Sequence, residues 1–137
     1  MTLVPMLRRS RLIAGLVLAL SLGLLQAGCA SSSSGGFRDG LTDKDRETAQ
    51  VVTFERDVET VWARTKETLA HLSERVPRFD DETHQAYATV DDGSVRVAVV
   101  ETTPGRSQLF VKARKFGLND DELAHSVLAR ISQEIDH

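Results

Sequence analysis

Along the chain, apolar residues recur at two spacings that predict different elements. Residues 50–54, Gln50-Val51-Val52-Thr53-Phe54, are β-branched and aromatic and read as a strand. From Val58 the spacing changes: Val58, Val61, Trp62, Thr65, Leu69, Leu72 and Val76 fall on one face of a helix. Asp57 is its expected cap, Asp57 and Glu59 suit its positive end, and Pro77 is expected to stop it. Alternation returns in residues 85–90, where Ala86, Ala88 and Val90 share a face. It continues with Val95, Val97 and Val99 against Arg96, Ala98 and Val100, then with Leu109, Val111 and Ala113 against Phe110, Lys112 and Arg114 within residues 108–116. The turns between these strands are Asp91-Asp92-Gly93-Ser94 and Thr103-Pro104-Gly105-Arg106; the second has the Pro and Gly of a type II turn. The last helix should be capped by Asn119, with Glu122 completing a capping box and Leu118 against Leu123 as a hydrophobic staple. Its buried stripe is Leu123, Val127, Leu128, Ile131 and Ile135.

The expected order is β-α-β-β-β-α. Consecutive hairpins make the sheet antiparallel, and each helix has one apolar face, so both should cover the same side. That is a two-layer α+β sandwich, occupying residues 48–137. Strand parity turns Leu109, Val111 and Ala113 toward the helices and leaves an outer face of mixed character. Tyr87, Arg96, Phe110, Lys112, Arg114 and Phe116 on that face form a candidate contact surface, since aromatics and Arg are enriched at interface centres.

Upstream, residues 37–49 are polar, with Phe37 and Leu41 their only large apolar side chains; they read as linker running into the domain. Residues 30–36, ASSSSGG, read as a flexible tether. The N-terminus carries Arg8, Arg9 and Arg11 and no acid, followed by the uncharged residues 12–25. A basic start before a short apolar run is the form of a secretory signal, and the run falls short of the roughly 20 residues that span a bilayer. Gln26-Ala27-Gly28-Cys29 then resembles the lipobox of bacterial lipoproteins, although Gln26 stands where Leu is usual and Leu25 lies one step earlier. The resemblance implies removal of residues 1–28 and lipidation of Cys29, which would attach the protein to a membrane. Ala30, in place of the Asp that retains such proteins at the inner membrane, implies the outer membrane, facing the periplasm.

Composition narrows the chemistry. The 137 residues contain one Cys, which excludes an intrachain disulfide and a Cys-based zinc site. The formal charge is −3, and the 28-residue signal holds three Arg and no acid, so the processed chain is more acidic still. Nucleic acid is therefore not an expected partner. No GxSxG, HExxH or glycine-rich phosphate loop is present, and neither a cofactor nor a catalytic site is expected. Asp80-Asp81-Glu82-Thr83-His84 gathers three carboxylates and an imidazole. Neighbours in sequence point in different directions, so a solvated loop is expected rather than a metal site. Trp62, at helical spacing with Val58 and Leu69, is expected in the core.

Asp57-Val58-Glu59-Thr60-Val61-Trp62, the hairpin strands, Phe116-Gly117 before the last helix and the Cys29 box together resemble a family of small bacterial lipoproteins whose domain has no known function. A more distant similarity, of pattern alone, is to the helix-grip domains of the BamC lipoproteins of the outer-membrane β-barrel assembly machine. The family implies no catalytic or ligand residues. The expectation is a lipid-anchored envelope protein acting as a binding or accessory module, through an envelope protein partner or a second copy of itself. A structural spacer and an enzyme are the alternatives.

Overall fold

The computed structural model describes residues 37–137. The signal segment 1–28, Cys29 and the tether 30–36 lie outside the described residues. The elements are α1 (Asp43–Glu47), β1 (Gln50–Phe54), α2 (Val58–Leu72), β2 (Arg78–Asp80), β3 (Gln85–Val90), β4 (Gly93–Thr103), β5 (Arg106–Lys115), β6 (Leu118–Asn119) and α3 (Asp121–Asp136). The strands form one antiparallel sheet in the order β1-β5-β4-β3-β2, with β6 added beside β5. The protein is an α+β sandwich.

The long helices α2 and α3 share one core with a single face of the sheet. Ala86, Ala88, Val90, Val95, Val97, Val99, Leu109, Val111 and Ala113 meet Val61, Trp62, Leu69, Val127, Ile131 and Ile135 in that core. Alternation alone selects these strand residues, because a period of two sends every second side chain to the same side.

The ends of the elements differ from expectation. Asp57 caps α2 by accepting the Thr60 N–H at 3.0 Å. The helix stops at Leu72, ahead of Pro77, because Ser73 turns extended and bonds β3 instead. Its Oγ donates to the Thr89 carbonyl and accepts the Thr89 N–H, each at 3.2 Å. Val76, expected on the buried face, is consequently 91% exposed. The β3–β4 turn centres on Asp91 and Asp92, with φ of 48° and 63°, both left-handed as the commonest hairpin turn requires. Gly93 belongs to β4. A Cβ there would sit 2.5 Å from Leu123 Cδ2 and 3.1 Å from the Arg114 carbonyl, so α3 reaches the sheet only over a residue without a side chain.

The cap of α3 is Asp120, whose carboxylate accepts the Leu123 N–H at 2.9 Å. Asn119 is in β6 and pairs with Arg114. Phe116 and Gly117, at φ 53° and 80°, make a second tight hairpin that folds residues 118–119 back along β5. Leu118 is therefore 73% exposed and forms no staple. Two short strands, β2 and β6, were not expected; at three and two residues they carry no periodic signal.

Candidate contact face and the strap across it

The largest departure lies upstream of β1. Residues 37–49 are part of the folded body, laid across the sheet face opposite α2 and α3, so the body begins before residue 48. Leu41 and Asp45 are buried. A helix of five residues is too short to persist alone, and α1 is held by its neighbours. Thr42 and Asp45 form a capping box. Asp45 Oδ2 accepts from the Thr42 hydroxyl at 2.8 Å and from its N–H at 3.2 Å, while the Asp45 N–H donates to Thr42 Oγ1 at 3.1 Å.

The strap is fastened mainly by polar contacts. The Leu41 N–H donates to Gln85 Oε1 at 2.9 Å, and a side chain at Gly40 would collide with that Gln85 oxygen. Asp39 pairs with Arg78 at 2.6 Å, and Arg78 stacks on Tyr87 at 4.8 Å. Asp45 faces two strands: Oδ1 lies 3.3 Å from Arg114 and Oδ2 3.7 Å from Arg96. The Lys112 ammonium donates to Thr48 Oγ1, and the Arg46 guanidinium lies over the Phe110 ring at 5.8 Å. Burial pushes the Asp45 carboxyl up, but the Thr42 hydrogen bonds, then Arg114 and Arg96, outweigh it and hold the group below its ordinary value.

The candidate contact residues thus have divergent fates. Tyr87, Arg96 and Phe110 are half-buried, Tyr87 and Phe110 beneath cationic partners and Arg96 beside Asp45. Lys112 is buried, at 4% exposure. Arg114 is exposed, and Phe116, beyond the end of β5, is 88% exposed. The parity that turns Phe110, Lys112 and Arg114 away from the helices is correct, but the chain's own strap closes the middle of the face. The Thr42-x-x-Asp45 spacing, a variant of the helix-capping signature, is the signal that would have revealed α1.

The acidic run before β3 is occupied in holding the fold. Asp81 Oδ1 accepts from Lys66 at 2.6 Å and from Trp62 Nε1 at 2.7 Å, and these bonds, Lys66 first, hold its pKa down. Asp80 accepts the Thr83 hydroxyl at 2.7 Å and the Glu82 N–H at 3.0 Å, closing the turn. His84 Nε2 lies 3.1 Å from Glu59. Trp62 is 2% exposed and packs edge-on to Phe79 at 6.0 Å. It belongs to the core, as its spacing predicts.

No family model and no curated protein matches this chain.

Proposed function

We propose that the protein is a lipid-anchored bacterial envelope lipoprotein whose folded domain acts by binding rather than by turnover. The observation that carries this reading is the Gln26-Ala27-Gly28-Cys29 box after a basic start and an uncharged run, in a chain whose sole Cys sits at that position. Lipidation there leaves no free thiol in an oxidising compartment. Multiple acyl chains give stable anchoring, each buried methylene contributing about 0.8 kcal/mol. The resemblance to small bacterial lipoproteins belongs to this reading, as does the outer membrane as the destination implied by Ala30.

The seven residues 30–36 separate Cys29 from the strap. Fully extended, they reach at most about 25 Å. The domain would work close to the bilayer surface, presenting the uncovered end of its outer face, with Arg114 and Phe116, to an envelope partner or a second copy. Cells fed a clickable fatty acid should label the protein, and Cys29→Ala should abolish the label. A labelled Cys29→Ala protein would overturn the anchoring assignment. Crosslinking in intact cells should recover a stoichiometric partner that Phe116→Ser loses; absence of such a partner favours a spacer.

A further inference from the structure

The strap does not seal the sheet completely. Between α1 and strands β4 and β5 lies a cleft of about 440 Å³, lined by Lys44, Asp45, Glu47, Arg96, Lys112 and Arg114 among others. Four of these side chains are cationic and two anionic, so the cleft carries two positive charges in excess within a chain of formal charge −3.

Lys112 makes this excess consequential. It is 4% exposed, and its one side-chain hydrogen bond among the described residues goes to the neutral Thr48 hydroxyl. No carboxylate among the described residues lies within 4.0 Å of its ammonium. Residues 1–36 contain neither Asp nor Glu, so no acidic side chain from that segment can complete the pair. A buried ammonium with no carboxylate in contact is costly, and proteins retain one where something anionic meets it. Arg96 and Arg114 border the same cleft and reach Asp45 only at 3.7 and 3.3 Å, one contact each. Most donors of each five-donor guanidinium thus stay free of that carboxylate.

We propose that this cleft is an oxyanion site, whose ligand is a phosphate dianion, free or as a monoester. Its two negative charges cancel the local excess. Its oxygens suit the forked donors of Arg96 and Arg114 together with the point charge of Lys112. Asp45 supplies the single carboxylate that the guanidiniums share when the site is empty. This assignment does not depend on lipidation of Cys29.

The test is calorimetric titration of the full chain, in neutral detergent and phosphate-free buffer, with inorganic phosphate at constant ionic strength. Saturable binding is expected, with Lys112→Met weakening it about tenfold or more, the loss typical of one charge-assisted hydrogen bond. Arg114→Gln, at a half-exposed side chain where folding is not at risk, should weaken it by a similar factor. Absence of saturable binding by the wild-type protein overturns the proposal, as does an Arg114→Gln protein that binds phosphate as the wild type does.

Discussion

The two faces of the sheet are held by different physics. The inner face is closed by aliphatic side chains, with Val95, Val97, Leu109, Val111, Val61, Leu69 and Ile131 all at 0% exposure. The outer face is crossed by a strap whose fastenings are a capping box, long ion pairs and a cation over a ring. Apolar burial is non-directional and cumulative, so the inner face tolerates little but depends on no single atom. Partly exposed ion pairs are individually worth little, up to about 1 kcal/mol, and respond to salt and pH. One face therefore sets global stability. The other is expected to loosen while the core stays folded, in the manner of local opening.

The largest effect should come from the inner face. Trp62→Ala removes a ring that is 2% exposed and also deprives Asp81 of one of its two donors. A loss of about 3–5 kcal/mol is expected, read by urea denaturation with circular dichroism, since Trp62 is the only fluorescent indole. Next comes the contact between α3 and the sheet. Gly93→Ala would place a methyl group 2.5 Å from Leu123 Cδ2 and 3.1 Å from a backbone oxygen. Overpacking of this kind costs about 1–3 kcal/mol, and Leu123→Ala in the same chain should recover part of it by making room. A Gly93→Ala protein as stable as wild type would show that the Leu123 side chain yields to the added methyl group, and that the close approach does not limit packing of α3.

The same contrast explains what the sequence discloses. The inner face is legible because its rule is periodic: Ala86, Ala88 and Val90, or Leu109, Val111 and Ala113, announce a buried side without reference to any partner. The two long helices and the β3–β4–β5 meander follow from it. The strap obeys no period. Its place depends on pairings across 51 to 69 residues from Arg96, Lys112 and Arg114 to Asp45 and Thr48, and such contacts leave only a short capping signature behind. Strand parity therefore predicts which residues form the contact face but not the strap that crosses it. Helix ends fail for a related reason. Asn119 looks like a cap in isolation, but its backbone is taken by β6, and the role passes to Asp120.

Asp45→Ala should sharpen the comparison further. It removes the carboxylate shared by Thr42, Arg96 and Arg114, and about 1–2 kcal/mol is expected, felt mainly by the strap. Limited proteolysis should then cut within residues 37–49, while amide protection in β4 and β5 stays close to that of wild type. If the whole domain instead melts as early as Trp62→Ala, the strap is integral to the core and the two-face distinction fails.

The smallest effect separates the faces by pH. The Asp45 pKa is lowered from its ordinary 3.8 in the folded protein, so the unfolded chain binds the proton more tightly. Ionised Asp45 thus contributes stability that is present above 3.8 and is lost as pH falls through the lower folded value. Asp57 and Asp80 are lowered as well, each chiefly by a Thr side chain within its own turn, so global acid unfolding will not isolate the strap. Amide exchange measured at residues 41–48 will. In the wild type, protection there should fall relative to β4 as the solution is acidified below pH 3.8. In Asp45→Asn, which keeps the shape without the charge, strap protection should be lower than in the wild type above pH 3.8, its ratio to β4 should change less over the same range, and the two proteins should converge as the wild-type carboxyl is protonated. A parallel decline in both proteins would mean that Asp45 does not carry the strap's response to acid, and that the charges on Arg96 and Arg114 serve something other than Asp45.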